Sequence, residues 1–315
     1  MLQPARENEG VWRLSVWCFG VDAGVQFSRC ENPIFPLIPS MAQDGGESRD
    51  WAEMPSDALS GVFGKLNASD ILTGAGLVCR VWRQLATNDP TLWRRVDMSC
   101  QADLVENMKA KYAMARIAVN RAAGTMEAFS AEYFVTDDLL LYISTRASSL
   151  KSLHLIYCPY ISIKGIAEAM KGFTQLEELT LYLSSFHGYV SEAIGRAGQQ
   201  LICFRLNNAF GYYNCPVDDT EAFWIANNMP ELRELQLIGN RLSNDGLIAI
   251  LDHCLRLESL DVSRCYNVQM DDVLKSKCAR IRDLMLPRDQ DVFIDSDPSD
   301  EGYSYDTDAM YDSEY

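Results

Sequence analysis

Histidine is scarce in this chain. Only His154, His187 and His253 occur in 315 residues, and they lie far apart. Ten cysteines are present, yet no two stand in a C-x-x-C pair. Metal sites of the common kinds need closely spaced thiols and imidazoles, so a metal centre has no support here. The chain also lacks a G-x-x-x-x-G-K-[ST] loop, a G-x-S-x-G turn and an H-E-x-x-H helix. No recognised catalytic constellation or cofactor cradle is left. Positive charge is short as well: 28 Lys and Arg against 44 Asp and Glu give a net charge of −16. Phosphate binding would oppose that charge, which argues against a nucleic-acid partner. Long apolar runs are missing. Val11 to Val25 is interrupted by Arg13 and Asp22, too short and polar to span a bilayer and too mixed for a secretory signal. No membrane partner is expected.

What is present is a phrase that nearly repeats six times. It reads Leu150-x-x-Leu153-x-Leu155, Leu176-x-x-Leu179-x-Leu181, Leu201-x-x-Phe204-x-Leu206, Leu232-x-x-Leu235-x-Leu237, Leu257-x-x-Leu260-x-Val262 and Ile281-x-x-Leu284-x-Leu286. Successive starts are 26, 25, 31, 25 and 24 residues apart, and a looser copy begins at Met126. Self-similarity at 20–29 residues is the mark of a leucine-rich-repeat solenoid, in which stacking neighbours bury what one repeat cannot. Period two inside each phrase predicts a strand with one buried face. A helix follows each strand. Ser243 or Asn244 is placed to cap one before Leu247, Ile248 and Leu251, and Thr136-Asp137-Asp138-Leu139 opens another over Leu140 and Ile143. The long third interval predicts an inserted loop from Phe210 to Asp219, rich in aromatics and turn formers.

Cysteine falls on the same grid. Cys158 and Cys265 each lie eight residues after a repeat start, and Cys254 and Cys278 lie three residues before one. Registered positions of this kind suit buried, reduced thiols, and so a cytosolic or nuclear protein rather than a secreted one.

Ahead of the repeats, residues 51–98 read WAEMPSDALSGVFGKLNASDILTGAGLVCRVWRQLATNDPTLWRRVDM. Three apolar stripes at helical spacing make a small bundle, which by itself is a cap for the end of the solenoid. The order Met-Pro, Val-Phe, Leu, Asp-Ile-Leu, Leu-Val-Cys-Arg-x-Trp-Arg, Leu-Trp resembles an F-box. With the repeats behind it, the chain is similar to plant F-box/leucine-rich-repeat proteins of the Skp-interacting-partner group over roughly residues 50 to 288. Met54 stands where Leu is usual, and Gly74 and Gly76 fall where helix is expected.

The resemblance implies a non-catalytic substrate-recognition subunit of a cullin–RING (SCF-type) ubiquitin ligase, feeding proteasomal degradation in nucleus or cytoplasm. It implies a Skp adaptor as partner, with cullin and a RING subunit beyond it, an unknown substrate protein, and no cofactor. Adaptor contact is carried to Pro55, Leu59, Val62, Phe63, Leu66, Ile71, Leu72, Val78, Cys79 and Trp82, several of which are equally placed to be core. With leucines pointing inward, alternation puts His154, Ile156, Thr180, Tyr182, Arg205, Asn207, Gln236, Ile238, Asp261 and Ser263 on the concave face as the expected substrate surface. A leucine-rich-repeat scaffold without a ubiquitin role, or an adaptor-bound regulator outside any ligase, fits the same residues.

The expected fold is α/β: a disordered extension over 1–49, a three-helix F-box over 50–95, a leucine-rich-repeat horseshoe over 96–288 and a disordered acidic tail over 289–315. That tail holds ten carboxylates, four tyrosines and no Lys or Arg. It is either a solubilising extension or a segment that folds back over cations such as Arg205 or Arg241.

Overall fold

The computed structural model describes residues 53–99, 108–182, 190–207 and 216–287. The extension over 1–49, most of the inserted loop and the acidic tail lie outside the described residues.

The leucine phrases become parallel strands in register. Strands β1 (Arg95–Met98), β2 (Ala128–Glu132), β3 (Ser152–Ile156), β4 (Glu178–Tyr182), β5 (Cys203–Asn207), β6 (Glu234–Gln236), β7 (Ser259–Asp261) and β8 (Asp283–Met285) form one sheet in sequence order. Phe129, Leu153, Leu179, Phe204, Leu235, Leu260 and Leu284 stand opposite one another across the ladder. Burial alternates along β2 and β3 as the spacing predicts. The sheet starts one strand earlier than the leucine phrases do. Arg95-Val96-Asp97-Met98 follows the bundle directly and pairs with β2.

Each crossover carries a helix: α4 (Met108–Arg121) before β2, then α5 (Asp137–Arg146), α6 (Ile163–Met170), α7 (Val190–Ile194), α8 (Thr220–Asn228), α9 (Asn244–His253) and α10 (Asp272–Cys278). Leu139, Leu140 and Ile143 of α5 are buried against the sheet, as are Leu247, Ile250 and Leu251 of α9. Ile250 rather than Ile248 completes the α9 stripe, since 247, 250 and 251 are the positions that share a helical face. Strands sit about 4.8 Å apart and packed helices about 8–10 Å apart, so the helical side must be the longer one and the sheet lines the inside of the bend.

Carboxylates brace neighbouring repeats. Asp137 accepts from the backbone N–H of Ser162 at 2.8 Å and from its Oγ at 2.7 Å. Asp219 does the same to Ser243, at 2.7 Å for both. Those serines cap α6 and α9. Three residues on, Gly165 and Gly246 leave room for the carboxylate: a Cβ at Gly246 would sit 2.2 Å from Asp219 Oδ1. Glu221 accepts from the N–H groups of Val190 and Ser191 at the start of α7, and burial pushes its carboxyl up against the pull of those donors.

The thiols are core groups. Cys158, Cys203, Cys254, Cys265 and Cys278 are buried and free. Burial pushes Cys158, Cys203 and Cys265 up to about 12 and Cys254 to about 11. Cys265 Sγ donates to the carbonyl of Leu237 at 2.9 Å and Cys254 Sγ to that of Met229 at 3.5 Å. They serve as small apolar fillers that also satisfy a backbone acceptor.

Candidate functional site

The bundle ahead of the sheet has helices α1 to α3 at Ser56–Phe63, Ala68–Thr73 and Arg80–Asn88, with 3₁₀ turns at Ala75–Leu77 and Pro90–Trp93. Asn67 caps α2 by accepting from Asp70 N–H, as its turn-like sequence predicts. Its core is Leu59, Phe63, Ile71, Ala86 and Trp93, all buried. Trp82 packs edge-on to Phe63 at 5.6 Å between centroids. The Trp93 indole N–H donates to the carbonyl of Ala86 at 3.0 Å, and Arg121 of α4 covers its ring at 5.1 Å. That contact ties bundle to solenoid.

Three residues expected at an adaptor surface are therefore core. Leu59, Phe63 and Ile71 are at most 1% exposed; they point into the only space a bundle this small has for large side chains. Leu66, Leu72, Cys79 and Trp82 are half-buried, while Pro55, Val62 and Val78 are exposed. The sequence reading missed Leu77 and Val81. Leu77 is 57% exposed, Val78 61% and Val81 43%, with Val62 at 42%. The glycines explain this. Helix α2 stops at Gly74. Gly76 lies so close to it that a Cβ would meet the Ile71 carbonyl at 2.6 Å. Had the helix run on, its apolar stripe would have stayed inside. The tight turn instead rotates Leu77 and Val78 outward, and Cys79 in extended conformation starts α3. Four large apolar side chains left in water on a small helical unit make it a candidate interaction surface.

The inner sheet face is the second surface. Its central row is Asp97, Ser130, His154, Thr180, Arg205, Gln236 and Asp261, matched residue for residue across the ladder. Arg205 sits between two repeats: it donates to Glu234 at 2.7 Å and to Thr180 Oγ1 at 3.4 Å. Burial and the Arg205 charge hold the His154 imidazole below its ordinary range, against the pull of Glu178. Ser152 Oγ lies 3.1 Å from His154 Nε2 and donates to Glu178 Oε2 at 2.9 Å. The residue types are those of an acyl-transfer triad, but the geometry is not. Serine and carboxylate crowd the same ring nitrogen, whereas a triad needs them on opposite ones.

Asn207, Ile238 and Asp261 are not on the open surface as expected; each is less than 9% exposed. The Asn207 amide donates to Gln236 at 2.9 Å, and its oxygen accepts from Ile238 N–H at 3.3 Å. Asp261 accepts from Ser263 N–H and Oγ. The bend brings these positions together, and their polar groups are used in bracing. Ile156, Thr180, Tyr182, Gln236 and Ser263 remain partly open.

An aromatic rim beside this face went unseen in the sequence. Tyr133 and Tyr157 stack at 5.7 Å, and Tyr160 meets Tyr133 edge-on at 6.0 Å. Tyr133 and Tyr157 have φ of 72° and 47°; Arg264 and Gly239, at the same place in later repeats, have 59° and 68°. Only glycine adopts that region freely, so three non-glycine side chains are held there at about 1 kcal/mol or more each. Gly239 was the one signal that the position turns left-handed.

Among known proteins, an F-box-like family model matches residues 51–99. The F-box protein SKIP19 of Arabidopsis thaliana is 38% identical over 276 residues, covering 86% of this chain and 89% of its own length. The putative F-box/LRR-repeat protein 23 of the same plant is 37% identical over 302 residues; the match takes in 91% of this chain but only 64% of that relative. A yeast Rad7–Elc1 crystal structure overlaps with a TM-score of 0.40 at 15% identity, covering 74% of this chain and 67% of that one, a level that carries no argument about function. With a bundle matched by the F-box-like model, eight stacked strands behind it, and relatives alike over most of their length, the chain belongs to the plant F-box/leucine-rich-repeat family.

Proposed function

We propose that the chain is the substrate-recognition subunit of an SCF-type cullin–RING ubiquitin ligase. The observation that carries the reading is the exposed apolar run Val62, Leu77, Val78 and Val81 on a bundle whose own core is already filled. In this reading those residues, together with the exposed Pro55, dock a Skp-type adaptor and are withdrawn from water there. The inner sheet face and the tyrosine rim take the substrate. The subunit makes no bond itself. It raises the effective concentration of a substrate lysine near a loaded ubiquitin, and it works in the nucleus or cytoplasm.

The test is assembly from purified parts. Mixing the full chain with a Skp adaptor and a cullin–RING pair should yield one co-eluting complex. Binding of the adaptor with exclusion of the cullin would contradict the ligase role, and failure to bind the adaptor would favour a repeat scaffold without a ubiquitin function.

A further inference from the structure

Cations on this acidic chain are distributed unevenly. Between Lys151 and Arg282 most are held by carboxylates, as in Arg205–Glu234, Arg233–Glu258, Arg241–Asp218 and Lys277–Asp252. Helix α4 is different. It carries Lys109, Lys111, Arg116 and Arg121, and no Asp or Glu occurs from Met108 to Met126. Among the described residues no carboxylate is paired with Lys109, Arg116, Arg121 or, on the adjacent α5, Arg146. Tyrosine takes that place. The Arg116 guanidinium lies 4.0 Å from the Tyr142 ring centroid and the Arg146 guanidinium 3.9 Å from it. Tyr142 itself is fixed by donating to Asn120 at 2.6 Å. Ile117 and Leu141, both over 40% exposed, flank the group. The result is a cationic, aromatic and partly apolar patch on the outer face of a chain whose net charge is −16.

We infer that this α4–α5 patch is the docking site for the chain's own acidic tail, residues 289–315. The chemistry matches on both counts: ten carboxylates for Lys109, Arg116, Arg121 and Arg146, which have no carboxylate partner among the described residues, and Tyr303, Tyr305 and Tyr311 for the arginine faces and the exposed Ile117 and Leu141. Reach matches too. The tail starts just past β8, and the patch lies five to six helix steps away along the outer face, or about 40–60 Å at about 8–10 Å per step. Its 27 residues have a contour of roughly 90 Å, enough to cover that span. Tethering also gives the tail an effective concentration in the millimolar range, enough for weak contacts to be populated. Arg205 and Arg241, the cations that sequence alone offers for this role, are already paired with Glu234 and Asp218.

The experiment is carbodiimide cross-linking of the full-length chain, which joins an amine to a carboxylate only in direct contact, read by mass spectrometry. Lys109 supplies the amine in the patch. Lys109 should link to carboxylates between Asp295 and Glu314, and an equimolar mixture of light and heavy-isotope chains should give only same-isotope pairs. In the full-length Arg116→Gln/Arg146→Gln variant the yield at Lys109 should fall about fivefold, the scale expected of two solvent-screened charge contacts. Arg146→Gln alone, at an exposed side chain, is the fallback if the double variant melts early. Links from the tail to Lys151 or Lys275 in preference to Lys109 would overturn the inference. So would a yield unchanged by the arginine variants, or mixed-isotope pairs, which would mean docking between copies.

Discussion

Replacing Gly246 by Ala should destabilise the solenoid although Ala is the better helix former. Gly246 is the third residue of α9, where Ala over Gly is worth up to ~1 kcal/mol. Its added Cβ, however, would lie 2.2 Å from Asp219 Oδ1 and 2.9 Å from Ala222 Cβ. The carboxylate must move, and it is the group that accepts from Ser243 N–H and Oγ at 2.7 Å each. Hydrogen bonds to a charged group contribute about 1.5–3 kcal/mol each. Losing most of two, less the gain in helix propensity, leaves a net cost of about 2–4 kcal/mol. For a domain of this size that is a drop of roughly 5–15 °C in Tm. The assay is a thermal or urea melt followed by circular dichroism, with two comparisons. Gly61→Ala lies in α1, where nothing stands within 4 Å of the new Cβ, so it should raise stability by about 0.5–1 kcal/mol. Asp219→Ala should cost about as much as Gly246→Ala. The double variant should cost far less than their sum, because both act through one carboxylate. A Gly246→Ala protein as stable as the parent, or strictly additive losses, would refute the brace.

Other outcomes follow from the core. Leu235→Ala removes a fully buried side chain and should cost ~2–5 kcal/mol in a denaturant melt, whereas Leu255→Ala, at a residue 73% exposed, should stay within about 0.5 kcal/mol. Ser69 Oγ is buried with no hydrogen-bond partner among the described residues, so Ser69→Ala should be neutral or stabilising by up to about 1 kcal/mol. The buried thiols stay protonated in the folded chain while unfolded thiols ionise above pH ~8.5, so the unfolded state binds fewer protons there. Stability is unaffected below that pH. Above it each such thiol contributes a fall of about 1.4 kcal/mol per pH unit, until Cys254 ionises near 11 and Cys158, Cys203 and Cys265 near 12. Cys265→Ala should remove one thiol's share of that slope in melts between pH 8.5 and 10.

The strand register was legible because it rests on one repeated physical fact, that a leucine every second residue buries one face of a short strand. The same rule placed His154, Thr180, Arg205 and Gln236 in one row. It could not show which of those inward positions the bend would bury, so Asn207, Ile238 and Asp261 were misplaced; their burial depends on neighbours in adjacent repeats. Nor does leucine spacing announce β1, whose Val96 and Met98 supply the apolar positions instead. In the bundle, apolar residues at helical spacing identify helices but not which face closes on itself. Gly74 and Gly76 held that information. Read as weaknesses in a helix, they hide the outward turn of Leu77 and Val78; read as a stop followed by a close backbone approach, they predict it. The tyrosine rim was hidden for a related reason, since nothing in Tyr133 or Tyr157 alone announces a left-handed backbone.

The central claim is that the exposed apolar run on the bundle is an adaptor-docking face, and calorimetric titration of the full chain with a purified Skp adaptor tests it most directly. Leu77→Asp/Val78→Asp changes residues that make little of the core, so the melt should match the parent. Adaptor affinity should fall roughly 1,000-fold, as expected when two anchors of an interface each cost about 2 kcal/mol. Leu255→Asp, an equally polar change at an exposed residue of the solenoid, should leave affinity as it was. Full affinity in the Leu77→Asp/Val78→Asp protein would contradict the account.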